Sequence, residues 1–180
     1  MRLTALASIA LLPALAFGQG TMSKTANKPA AGGLDDAAIV GILAAANTWD
    51  ISTGGLAAKK ATRSDVKEFG QMLATVHTSV LNQAKDLAKK LNITPTPVAK
   101  DFPLLVDYNN TMTKLNSLNG AEFDRAFLQH EVDYHTAVLN AVTNTLLPAI
   151  KNAELKKFVQ DLAPAFVAHK AKAEDLLNKK

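Results

Sequence analysis

Glu131 and His135 stand four residues apart in the stretch from Ala121 to Asn140. That spacing places both side chains on one face of a helix. Phe123, Phe127, Tyr134, Val138, Ala141 and Val142 recur at three- and four-residue steps along the same stretch, so His135 is aimed towards an apolar side. Three other segments each offer a polar residue within an apolar stripe: Asp50, His77 and His169. Imidazole nitrogen suits Zn, Cu, Ni or Fe, and a carboxylate adds the charge that neutralises a cation. Asp50, His77, His135 and His169 are therefore the candidate ligands of one divalent metal ion. Glu131 is a fifth ligand or an acceptor for a ring N–H. His130 lies about 140° around the helix from His135, which turns it towards another neighbour or solvent. Asp133 and Tyr134 are candidates for a supporting role. The competing reading is a metal-free interaction module of the cell envelope or of stress responses, with a buried Asp–His hydrogen-bond network.

Four amphipathic segments must carry these residues. The first runs from about Asp35 to Lys60, with Ile39, Leu43, Ala46, Asp50 and Ala57 on its stripe. The second runs from about Ser64, a candidate cap, to Leu91, with His77 between Leu73 and Val80. The third is the opening stretch, continued to about Leu147 before Pro148. The fourth runs from a cap at Asn152 to Asn178, with Leu155, Phe158, Leu162, Phe166, His169, Ala173 and Leu176 inward. Pro164 lies inside it, where it should kink the helix without stopping it. The connection from Asn92 to Asn119 carries a Thr94-Pro95-Thr96-Pro97 run that cannot be helical, then a short helix over 102–118. The expected fold is thus all-α, a four-helix bundle with a short extra helix in its long connection.

At 1.5 Å per residue, Asp50 lies about 15 Å before the first turn and His77 about 20 Å after it. His135 and His169 lie about 20 and 25 Å either side of the second turn. Each pair is near one level, in an up-down or a crossover arrangement alike.

Composition narrows the chemistry. The chain has 180 residues and no cysteine, which excludes disulfides, thiolate metal sites and a cysteine nucleophile. Residues 1–18 read as a signal peptide: Arg2, an apolar run from Leu3 to Phe17, and small residues before a cleavage point at Gln19. Residues 19–34 read as a flexible linker and 35–180 as the folded domain. After cleavage no stretch is long and apolar enough to span a membrane. The lysine pairs 59–60, 89–90 and 179–180 fall at expected helix ends, where cations are favourable, so nucleic acid is not an expected partner. The expectation is an exported monomer or dimer, periplasmic or associated with the outer membrane. An enzymatic role is disfavoured, because no Gly-x-Ser-x-Gly, His-Glu-x-x-His or Glu-x-x-His step is present.

The stretches from Asn47 to Ala61, Val66 to Thr78, Glu122 to Phe127, Asp133 to Thr136 and Leu155 to His169 resemble a bacterial exported family, domain of unknown function 4142, whose members are often labelled "predicted outer membrane protein". The likeness spans about residues 35–178 and implies a ferritin-like fold. Asp50 matches the family's acidic position in the first helix, where glutamate is more usual. His77, His135 and His169 match its histidines, while Val76 replaces the acid that precedes the second-helix histidine. Pro164 matches its Leu-Pro step, with Ala163 in place of leucine. The family carries no settled activity.

Overall fold

A computed structural model describes residues 34–179. The expected signal peptide and nearly all of the linker lie outside those residues. Among the described residues all regular structure is helical: α1 (Asp36–Lys60), α2 (Ser64–Lys90), α3 (Pro103–Ser117), α4 (Gly120–Ala141), a π-helical turn (Val142–Leu146), α5 (Leu147–Ala149) and α6 (Ala153–Asn178). The all-α expectation and the short helix in the long connection are both met.

Capping fixes the helix ends. Asp35 Oδ1 accepts from Ala38 N at 2.8 Å and starts α1. Asn152 Oδ1 accepts from Glu154 N and Leu155 N and starts α6. Ser64 does not cap α2, contrary to expectation: it is the first helical residue, and no side-chain bond comes from the capping position at Arg63. The acceptor comes from another helix instead. Asp124, in the first turns of α4, takes Thr62 N at 2.9 Å, Thr62 Oγ1 at 2.6 Å and Arg63 N at 2.9 Å. Asp36 likewise accepts from Lys151 N and Asn152 N, tying the start of α1 to that of α6. Lys60 Nζ donates to the carbonyls of Leu115 and Asn116 at the end of α3.

α1 and α2 pack closely as one hairpin, and α4 and α6 as another. In the first hairpin Gly54 and Gly70 let the backbones touch: a Cβ on either would come within 2.7 Å of the other's carbonyl oxygen. The hairpins meet more loosely, α1 against α4 and α2 against α6. Paired contacts give the directions. Thr62 with Asp124, Thr53 with Glu131 and Ala46 with Tyr134 set α1 antiparallel to α4. Asp65 with Lys179 and Lys90 with Glu154 set α2 antiparallel to α6. α2 and α4 therefore run in the same direction, and the segment between them returns the chain from one end to the other. Just beyond α2, Asn92 takes a positive φ of 55° while Ile93 N reaches back to Ala88 O. Thr96 N then bonds Ala37 O at 3.0 Å, and the strap crosses α1 over Gly41, where a Cβ would strike Thr96 O. Phe102 and Tyr108 bring α3 against Trp49.

The third long helix is not uniform. Its π turn ends with Leu147 N bonded to Val142 O, one residue beyond α spacing. Pro148 gives the reason: it has no N–H for the carbonyl four residues back, and its ring would collide with that group in an α-helix. The wider turn accommodates it and keeps Val142, Leu146 and Ile150 all buried.

Two large apolar clusters fill the interior, beside a smaller one of Trp49, Phe102 and Tyr134. One gathers Ile39, Leu43, Val80, Val142, Leu155, Leu162 and Phe166, and the other Ala57, Phe69, Leu73, Phe123, Phe127, Ala173 and Leu176. Along every long helix the candidate residues fall between them: Asp50 between Leu43 and Ala57, His77 between Leu73 and Val80, His135 between Phe127 and Val142, His169 between Phe166 and Ala173. The candidate polar groups thus form one layer between the two clusters.

Candidate metal centre

All five candidates converge. The rings of His77 and His135 are 5.9 Å apart between centroids, those of His77 and His169 5.2 Å, and those of His135 and His169 5.3 Å. One nitrogen from each of the three lies within 4.8 Å of the other two. Asp50, Glu131 and His135 form a second triad by the same measure. Every member is buried, from 0% exposed for Glu131 to 6% for His169. Asp50 and His77 come from the first hairpin and the other three from the second, so the cluster lies on the looser seam between hairpins.

Hydrogen bonds decide which atoms face inward. Asn47 Nδ2 donates to Leu43 O at 2.7 Å, which fixes the amide with its oxygen towards His77. That oxygen lies 2.9 Å from His77 Nδ1 and can only accept, so Nδ1 carries the proton. His135 Nδ1 lies 3.0 Å from the backbone carbonyl of Glu131, another pure acceptor, and must also carry a proton. In the neutral rings Nε2 is then a bare lone pair. Among the described residues the buried side-chain N and O atoms without a hydrogen-bond partner are Asp50 Oδ1, His77 Nε2, Glu131 Oε2, His135 Nε2 and His169 Nδ1. Each expected ligand supplies one. The carboxylates flank the rings, with Asp50 Oδ2 3.6 Å from His77 Nδ1 and Glu131 Oε2 3.4 Å from His135 Nδ1. Thr53 Oγ1 holds the other Glu131 oxygen at 3.3 Å.

Burial keeps the layer uncharged without a cation. Desolvation, helped by the neighbouring imidazoles, pushes His77 down to about 3. Desolvation brings His135 to about 4 and lowers His169 as well. Glu131 is raised to about 8, chiefly by burial. Asp50 is raised well above the carboxylate range by burial and then by the charge of Glu131. Neutral imidazoles with bare nitrogens and carboxyl groups denied water are the electrostatic condition for taking up a cation.

The surroundings close the layer. Phe166 stacks on His77, with ring planes 2° apart. Tyr134 packs its ring edge-on to His135 and donates its hydroxyl to Ala46 O at 3.1 Å, a supporting contact of the expected kind. Asp133 is half-buried, accepts from Gln129, and belongs to neither triad. His130 is turned away from the cluster, as expected. It lies beside Tyr134 under α3, where desolvation lowers it to about 4. It lines a cavity of about 670 Å³ between α3 and α4. Sequence reasoning missed Asn47 and Thr53. Asn47 precedes Asp50 by three and follows Leu43 by four, so the helical stripe could have found it.

Neither the curated proteins nor the solved structures include a match to this chain. A family described as a domain of unknown function, DUF4142, matches residues 20–176. The chain, with its buried layer of three histidines and two carboxyl groups, belongs to that family.

Proposed function

We propose that this protein binds one divalent transition-metal ion, through His77 Nε2, His135 Nε2 and His169 Nδ1, with Asp50 and Glu131 balancing its charge. One observation carries the reading: among the described residues, the five buried side-chain N and O atoms without partners all belong to this layer. A buried polar atom left unpaired costs about 1–3 kcal/mol, so five in one place call for a common partner. The metal-free network is correspondingly disfavoured. Its carboxylates make no hydrogen bond to any of the three rings, and a half-satisfied polar network is worse than an apolar core.

Zn, Cu, Ni and Fe are the ions suited to imidazole nitrogen. The burial of every ligand favours retention over turnover, and the role we assign is storage, buffering or sensing of the ion. The helix directions, with one long return between α2 and α4, support a four-helix bundle of the ferritin-like kind with a single crossover. The ligand set is not the glutamate-rich one of di-iron proteins. The positive start and apolar run of residues 1–17 support export, to the periplasm or the outer membrane.

The test is elemental analysis of the mature chain, purified without a histidine tag and titrated with each ion. About one equivalent should be retained, and lost in His135→Ala and His169→Ala. A well-folded sample that neither retains nor takes up an ion would overturn the reading.

A further inference from the structure

Building on the metal-binding reading, we propose that the layer offers two alternative positions to its single ion: one on the three imidazoles, the other on Asp50 and Glu131, with His135 common to both. The five side chains form two overlapping triads, each with its ligand atoms within 4.8 Å, and His135 is the shared member. His135 can serve only one position at a time. Its Nδ1 is engaged with the Glu131 carbonyl at 3.0 Å, which leaves a single lone pair at Nε2. Charge points the same way. Two ionised carboxylates neutralise one divalent ion, whereas a second ion would leave two uncompensated charges in a dry core.

The ion's own chemistry then selects the position. Copper and zinc favour three nitrogen donors. A harder ion such as manganese favours two carboxylates and one imidazole. The oxygen position is built for this: Asp50 Oδ1 and Glu131 Oε2 are both buried and unpartnered, and Thr53 Oγ1 steadies the other oxygen of Glu131. The layer is thus a discriminator in which an ion's preference for nitrogen or oxygen decides which hairpin contacts it makes. The nitrogen position joins α2 to α4 and α6, and the oxygen position joins α1 to α4.

Pulsed EPR on the untagged chain, loaded separately with Cu(II) and Mn(II), reads the donor count directly. Copper should couple to three imidazole nitrogens and manganese to one. His169→Gln should lower the copper count to two and leave the manganese signal unchanged. Glu131→Gln should weaken manganese binding at least tenfold while copper keeps three nitrogens. Equal nitrogen counts for the two ions in the unmodified protein, or copper binding without manganese binding, would overturn the two-position proposal and leave the metal site intact. Binding of neither ion would also overturn the two-position proposal, and the titration with zinc, nickel and iron would then decide the site itself.

Discussion

Asn47 decides which nitrogen of His77 is bare, although it offers no atom to an ion. Its amide is oriented by the Leu43 carbonyl and in turn orients the imidazole. Supporting groups of this kind are worth about 10–100-fold in metal affinity. Asn47→Ala should cost that much in a competition titration while the helical circular dichroism spectrum stays unchanged. An affinity equal to the parent's would show that His77 needs no such partner. The ligand residues themselves were legible in the sequence, because a histidine or aspartate inside an apolar stripe is anomalous by type. Asn47 and Thr53 were not singled out. Asparagine and threonine in a helix are commonplace by type; the His77 ring across the hairpin gives Asn47 its role, and the Glu131 carboxylate on the facing hairpin gives Thr53 its own.

At the scale of the helices, the ends were readable where the cap is local and unreadable where it is not. Asp35 and Asn152 precede their own helices and both act as caps, Asn152 as expected. Asp124 reaches its partners from a different helix, so neither pattern nor propensity at Ser64 could reveal it. Asp124→Ala removes the acceptor of three part-buried donors and should destabilise by about 1–3 kcal/mol in urea unfolding. The contact between α1 and α2 gives a paired test. Gly54→Ala places a methyl group within 2.7 Å of the Gly70 carbonyl and should cost about 1–3 kcal/mol. At Gly55 a Cβ meets nothing within 4 Å, so Gly55→Ala should stabilise by about 0.5–1 kcal/mol through helix propensity alone. Equal effects at the two positions would mean that the close approach does not govern stability. The π turn also escaped the periodicity argument, since Pro148 signals the end of a helix without saying how the helix accommodates it.

For the whole molecule, the buried layer imposes an opposed pH response on the ion-free protein. His77, His130 and His135 titrate at about 3, 4 and 4 when folded, against 6.5 ordinarily. The unfolded chain therefore takes up protons that the folded one refuses, and stability is lost as pH falls below about 6.5. Glu131 runs the other way. Raised to about 8, it holds a proton that the unfolded chain releases, so its contribution fades as pH rises from the carboxylate range through 8. Calorimetry with chelator present should give a melting temperature that peaks near about pH 6.5 and falls on both sides. A bound ion takes the place of the carboxyl protons and should flatten the alkaline fall. An alkaline fall of equal depth with and without metal would count against that exchange. The split of the ligands between two hairpins also constrains how the chain can change in length. Adding one residue anywhere between a hairpin turn and the polar layer rotates a ligand by about 100° and carries it off its face. The exposed turn at Lys100 and Asp101 sits outside all four of those stretches. Length differences among family members should therefore gather between the strap at Thr96 and the start of α3, leaving the spacing from each turn to its ligand fixed like the teeth of a key.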